Sequence, residues 1–286
     1  MKIVYICDFF HPFAGYHPNM LTKFWSAFGH DVYMLCSEMG RIPPELTEFF
    51  DATEIEEKDR WFEQTTGVKI VRLPLICFFS GRSVYTRKIF STIDEIAPDV
   101  VFVNGNDTLI GIQLTLRYKR LGTGLVMDSH MLEMASENKL NKLFRAFYRT
   151  FITPRVVKND IPVIRTQDDP YVEKCLGIPL ERCPWISFGT DMTLFHPDGA
   201  QKARFRAEYN IPDDALVVLY AGKIIESKGA GLLAHAACAE YREKRPVVFV
   251  IIGTVEGHYG EQIEALLNSS GNRILRFPTQ RYLDLP

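Results

Sequence analysis

Short runs rich in valine and isoleucine recur along the 286 residues, with helical patterns between them. They are KIVYIC (2–7), DVYMLC (31–36), VKIVRL (68–73), DVVFV (99–103), GLVMD (124–128) and PVIR (162–165), then ALVVLYAG (215–222), PVVFVIIG (246–253) and RILRF (273–277). A strand that is apolar on both faces must be covered on both faces, which is its situation in a parallel sheet between two helix layers. Strands alternating with helices imply right-handed crossovers and a doubly wound sheet. The expected class is therefore α/β, with two Rossmann-like doubly wound parallel-sheet domains. The stretch 189–214 breaks the pattern and contains Gly189, Pro197, Gly199 and Pro212, so the domain junction is placed there. Residues 1–188 then form the first domain, and 189–286 form a linker and a partial second one.

The helices have readable ends. Segment 17–28 runs into Gly29, a natural C-cap. Asp107 is expected to cap 108–121, which ends at Gly122. Segment 228–243 carries Leu232, Leu233, Ala236 and Ala237 on one side, with Glu240, Arg242, Glu243 and Lys244 near its end.

Charge and cysteine content narrow the function classes. Lysine plus arginine (33) nearly balances aspartate plus glutamate (35), so nothing in bulk charge argues for a nucleic-acid partner. None of the six cysteines forms a C-x-x-C pair, and several sit in apolar runs; reduced core residues of a cytoplasmic protein are expected. No signal peptide is read at the start, and no apolar run approaches the ~18 residues of a membrane span.

In an open parallel sheet, ligands bind beyond the carboxyl ends of the strands. Three loops there hold chemistry. The first, DFFHPFAGYHPN, offers Asp8, His11 and Gly15 ahead of a helix whose free N–H groups could receive a phosphate; a tight turn is the plain alternative. It has no G-x-G-x-x-G, which disfavours a dinucleotide site and a dehydrogenase. The second holds Asn104, Gly105, Asn106 and Asp107. The third holds Asp128, Ser129 and His130, where His130 could bond a sugar hydroxyl or phosphate, and Asp128 could orient it. A structural histidine bonded to backbone is the other reading.

The second domain has AGKIIESKG at the end of its first strand. Lys223 and Lys228 there, with Gly222 and Gly229 beside them, suit a diphosphate leaving group whose negative charge grows as the sugar–phosphate bond breaks. Gly253 ends the next strand and could bring backbone near a nucleotide. No D-x-D occurs and no His/Cys cluster has zinc spacing, so neither a metal nor a cofactor is expected beyond a nucleotide-diphosphate sugar as substrate.

Segment 139–158, KLNKLFRAFYRTFITPRVVK, has six cations and no acid. Leu140, Phe144, Phe147 and Phe151 share one face, Lys142, Arg145 and Arg149 another, and the helix is expected to stop near Thr153, before Pro154. A peripheral contact with an anionic membrane through 139–153 is one reading; packing on the sheet with a solvated basic face is the other.

Taken together, these segments resemble the GT-B-fold family of retaining glycosyltransferases called group 1 or family 4. The resemblance runs in order along the chain: the first loop at Asp8, Pro12, Ala14 and Gly15, with Ala14 where relatives carry glycine; GHDV at 29–32; SFGTDMTLFHP at 187–197; AGKIIESKG; and VIIG at 250–253. It implies that Gly15 approaches the donor phosphates, that His130 lies near the donor sugar and acceptor, and that Lys223 and Lys228 hold the diphosphate. Transfer to a glycan or lipid-linked acceptor would retain the anomeric configuration without a metal. RFPTQRYLDLP at 276–286 resembles the run-up to a further strand. Relatives then carry a glutamate pair that binds donor sugar and ribose. Its absence raises the expectation of a chain truncated before those glutamates, inactive or nearly so alone. The alternative is a non-catalytic GT-B-like binding subunit. A nucleotide-sugar epimerase would need acid/base carboxylates that the second domain does not show.

Overall fold

The computed structural model describes residues 1–41, 52–79, 81–133, 139–239, 245–280 and 282–285. Contacts divide the chain into two compact units, Met1–Asp191 and Met192–Pro286.

The first unit opens with β1 (Lys2–Cys7), α1 (His17–Ala27), β2 (Asp31–Ser37), α2 (Ile55–Thr66) and β3 (Lys69–Leu73). A hairpin of β4 (Leu75–Phe79) and β5 (Arg82–Tyr85) follows, then α3 (Lys88–Ile96), β6 (Val100–Val103), α4 (Leu109–Leu121) and β7 (Gly124–Ser129). The chain continues through α5 (Lys139–Phe147), a π-helical turn (Tyr148–Ile152), α6 (Thr153–Lys158) and β8 (Val163–Arg165). Six strands form a parallel sheet in the order β3-β2-β1-β6-β7-β8. The order reverses between β1 and β6, which leaves a crevice beyond their carboxyl ends.

Both faces of this sheet are covered, as its continuous apolar strands require. Val4 and Ile6 join Ile89, Ile110 and Leu114 on one side. Tyr5 and Cys7 join Val32, Met34, Phe62 and Phe102 on the other. Successive residues point to opposite faces, and each large apolar side chain so buried contributes about 1.5–3 kcal/mol.

The second unit contains α7 (Gly199–Glu208), β9 (Leu216–Ala221), α8 (Ala230–Cys238), β10 (Val247–Ile252), α9 (Gly257–Asn268) and β11 (Arg273–Phe277). Its strands are parallel in the order β11-β10-β9. Asp198 caps α7, its Oδ1 accepting from the N–H groups of Ala200 at 2.8 Å and Gln201 at 2.9 Å.

Several local expectations are corrected. The cap of α4 is Thr108, whose hydroxyl accepts from Gly111 N–H at 3.1 Å. Asp107 instead accepts from Arg82 at 3.2 Å and from the Tyr171 hydroxyl at 3.1 Å, because a residue one place before the cap points away from the helix's free N–H groups. The helix after Lys139 does not stop at Pro154. Thr153 N–H reaches back five residues to Tyr148 O, the wide turn absorbs an extra residue, and Pro154 falls in the first turn of α6, where its missing N–H costs no helical bond. Its buried face is Tyr148, Ile152 and Val156, with Phe144 against the same core, while Leu143, Phe147 and Phe151 are exposed. In α8 the buried residues are Ala230, Ala234 and Ala237, small enough to let the helix approach the sheet, and Leu232 is exposed. Glu240, Arg242, Glu243 and Lys244 lie outside the described residues, as does the side chain of Leu140. Of the cysteines, Cys77 is exposed and Cys238 half-buried; the other four are core.

Candidate functional site

In the first unit, a cavity of about 510 Å³ opens where the strand order reverses. Cys7 and Asp8 at the end of β1, Asn104 at the end of β6 and His130 just past β7 line it. Gly15 and His17, at the entry to α1, close one side; Gly81 and Arg82 of the hairpin and Phe188 close others. Gly15 takes φ +63°, the left-handed turn that starts α1. Asn19 then fixes the turn, its Oδ1 accepting from Tyr16 N–H at 3.2 Å and its amide donating to the carbonyls of His11 and Pro12, each at 3.0 Å.

Asp128 organises the floor. It is fully buried, and its Oδ1 accepts from Gly105 N–H at 2.6 Å while Asn104 Nδ2 donates to Oδ2 at 3.3 Å. His130 Nδ1 lies 3.5 Å from Oδ1, and His17 Nδ1 lies 3.7 Å from Oδ2. One carboxyl therefore sits behind two imidazoles. Both Nδ1 atoms are buried without a hydrogen-bond partner, and so are both carboxylate oxygens of Asp8. The two Nδ1 atoms face Asp128, so the imidazoles are turned with that edge toward the floor and the rest of each ring toward the cavity.

Burial sets the protonation of these groups. It pushes His17 down to about 4, with His130 nearby acting in the same direction. It lowers His130 as well, against the pull of Asp107. It raises Asp128 to about 7, against the bonds from Gly105 and Asn104. It raises Asp8 to about 6, with Arg82 opposing. Near neutral pH the cavity thus presents neutral imidazoles beside carboxyls within reach of their titration, a set suited to bonding hydroxyls.

Of the residues expected from sequence in this unit, Asp8, Gly15, Asn104 and His130 come together on the cavity. Asp128 stands behind them. His11 and Asn106 do not line it. His11 is buried and its Nδ1 accepts from Phe13 N–H at 3.2 Å. Asn106 is buried beneath, bonded to the Tyr148 hydroxyl at 3.2 Å. His17 and Arg82 are cavity residues that sequence reasoning missed. The HPN at the entry to α1 and the Ser-Gly pair between LICFF and RSVY were the available signals.

In the second unit, the expected residues meet at the carboxyl ends of β9 and β10. Gly222 takes φ +156° and Gly253 φ +143°. A Cβ on Gly253 would lie 2.0 Å from Gly222 O, so only glycine lets these strand ends approach. Lys223 Nζ pairs with Glu256 Oε1 at 2.6 Å, a partner not foreseen from sequence. The Tyr220 hydroxyl donates to Lys223 O at 2.8 Å and fixes the loop. Lys228 is exposed at the end of a short 3-10 turn, and Gly229, at φ +70°, passes the chain into α8. Among the described residues, no cluster of three or more His, Cys, Asp or Glu is arranged to hold a metal ion.

Comparison with solved structures places this architecture. The fold is of the GT-B type. A glycosyltransferase from Rickettsia africae superposes with TM-score 0.63 at 11% identity, over 98% of this chain and 68% of that one. A sucrose-phosphate synthase from Thermosynechococcus elongatus gives 0.60 at 18% identity, over 99% and 72%. HepE of Anabaena, solved in complex with UDP and glucose, gives 0.59 at 13% identity, over 98% and 70%. At such identities the likeness is one of fold. No protein-family model matches the sequence, and no curated protein sequence does.

Proposed function

We propose that the protein is a glycosyltransferase that moves a sugar from a nucleoside-diphosphate sugar to an acceptor hydroxyl on a glycan or a lipid-linked sugar. The observation that carries this reading is the convergence of Asp8, His17 and His130, with buried Asp128 behind the two imidazoles, on one cavity at the reversal point of a parallel sheet. In this reading Asp8 and Asn104 accept and donate bonds to sugar hydroxyls, and Asp128 holds His130 against the reacting sugar. Lys223 and Lys228 stabilise the diphosphate as it leaves. The bond between the anomeric carbon and the phosphate oxygen breaks, a bond from the acceptor oxygen forms on the same face, and the acceptor proton passes to a phosphate oxygen. In this reading the transfer is retaining and metal-independent, and the departing diphosphate takes the acceptor proton.

The GT-B fold of the glycosyltransferase and synthase above supports the reading. HepE was solved with UDP and glucose, which makes UDP-glucose the first donor to test. A peripheral membrane contact through 139–153 belongs to the same reading, because Leu143, Phe147 and Phe151 project outward on that segment. No helix among the described residues is long and apolar enough to cross a membrane.

The test is release of nucleoside diphosphate from a panel of nucleotide sugars, with and without lipid-linked and soluble glycan acceptors. The reading requires acceptor-dependent release that falls on His130→Ala. Absence of release from every donor, with no nucleoside diphosphate bound, counts against it.

A further inference from the structure

A second cleft, of about 590 Å³, lies between the C-terminal half of α4 and α6, away from the site already described. Arg117, Lys119, Arg120, Arg155 and Lys158 line it, and among the described residues no acidic side chain does. The chain as a whole carries formal charge -2, so five cations around one cleft run against its overall balance. Arg117 stacks over the Phe90 ring at 3.9 Å, which fixes one wall. Asp160, just beyond Lys158, is already paired with Arg182 at 3.2 Å.

The helix that supplies Arg155 also supplies an exposed apolar row. Around the π-turn the core-facing residues recur every four positions: Phe144, partly buried, then Tyr148, Ile152 and Val156, buried. The residues one place earlier, Leu143, Phe147, Phe151 and Arg155, therefore form a second row on the neighbouring face. The first three are exposed at 72%, 40% and 50%, and the rings of Phe147 and Phe151 pack at 5.4 Å. The row thus runs from an exposed leucine, past two aromatic rings, into the cationic cleft.

We propose that this cleft is a binding site for the phosphate headgroup of an anionic lipid, with Leu143, Phe147 and Phe151 entering the acyl boundary beside it. Guanidinium and ammonium groups recognise phosphate by charge-assisted hydrogen bonds. An apolar row flanked by cations is the pattern that seats a helix in a bilayer interface. The inference rests on the membrane contact proposed through 139–153 and extends it, since all five cations lie outside that span.

The experiment is co-sedimentation of the full chain with vesicles of phosphatidylcholine alone, and of phosphatidylcholine containing phosphatidylglycerol. The variants are Arg120→Gln/Lys158→Gln and Phe147→Ser/Phe151→Ser, with circular dichroism as a check on folding. Expected is partition onto the phosphatidylglycerol vesicles that weakens with salt. Removing two surface cations should lower it roughly 20- to 30-fold, at about fivefold each. The Phe147→Ser/Phe151→Ser variant should weaken partition while leaving its salt dependence in place. Binding of the Arg120→Gln/Lys158→Gln variant equal to the unaltered chain would overturn the cleft assignment alone. No binding of the unaltered chain to either vesicle would overturn the whole membrane contact. Binding of inorganic phosphate in the cleft without vesicle binding would assign it to a soluble anion and overturn the proposal too. Nucleoside-diphosphate binding, measured in parallel, tests the transferase reading separately.

Discussion

Lys223 Nζ and Glu256 Oε1 stand 2.6 Å apart at the carboxyl end of the second unit's sheet. The pair is partly exposed, so it contributes at most about 1 kcal/mol to stability. Its consequence for ligand binding is larger. On the proposed role of Lys223, a diphosphate competes with Glu256 for its ammonium. Glu256→Gln is therefore expected to tighten nucleoside-diphosphate binding several-fold, with little change in Tm. Calorimetric titration of the two proteins checks it; unchanged or weaker binding in the variant counts against a role for Lys223 in the diphosphate site.

Asp8 makes stability depend on pH in a defined direction. Burial first, opposed by Arg82, holds its folded pKa at about 6, above the unfolded value of about 3.9. The folded chain binds that proton more tightly than the unfolded chain. Its contribution is complete below about pH 4 and is lost as pH rises through about 6. Asp8→Asn removes the buried ionised carboxylate. The variant should match the original near pH 4 and exceed it by about 1–3 kcal/mol near pH 8 in urea unfolding. A difference that stays flat with pH would contradict the buried placement of this carboxyl.

His130 and Gly253 separate chemistry from architecture. His130 is partly exposed to the cavity and holds no hydrogen bond through Nδ1, so His130→Ala should leave Tm nearly unchanged. It should lower kcat/KM for sugar transfer by about a hundredfold, the loss of a group that positions the reacting sugar. An equal loss of stability and activity would make it a structural histidine.

Gly253→Ala should do the reverse. Its left-handed φ and the 2.0 Å approach to Gly222 O leave no room for a methyl group. A loss of at least about 3 kcal/mol is expected from strain and displaced strand ends. A variant as stable as the original would mean that β9 and β10 end farther apart than described.

The main sheets were legible in the sequence because their strands read as apolar runs: β1, β2 and β10 bury most of their residues on both faces, although β9 leaves Leu216 and Leu219 exposed. All nine such runs contain strands; Gly122 caps α4 as expected at φ +66°, while α1 is capped by Phe28 and Gly29, at φ +86°, turns the chain one residue later. The hairpin β4–β5 was not foreseen. Its first strand is an apolar run like the others, yet Ile76 and Phe79 are exposed, and pairing is antiparallel and local. With it went Arg82, and therefore part of the cavity wall. His17 escaped because a histidine in the first turn of a helix has no distinctive spacing; its proximity to Asp128 is set by the fold across a separation of 111 positions in the chain. Asp107 and Thr108 are both good caps, and sequence alone cannot choose between adjacent ones. Asp8, Asn104 and His130 were found because strand ends are where an open sheet gathers its ligands.

The measurement that bears most directly on the account is calorimetric titration of UDP, and of other nucleoside diphosphates, into the chain and into Lys228→Ala. Lys228 is exposed, so the variant should fold as the original does. The account predicts a Kd below about 1 mM for at least one nucleoside diphosphate, in the range typical of substrates, and a weakening of about tenfold or more in the variant, the loss of one charge-assisted bond. Failure of every nucleoside diphosphate to bind, or binding indifferent to Lys228, would contradict it.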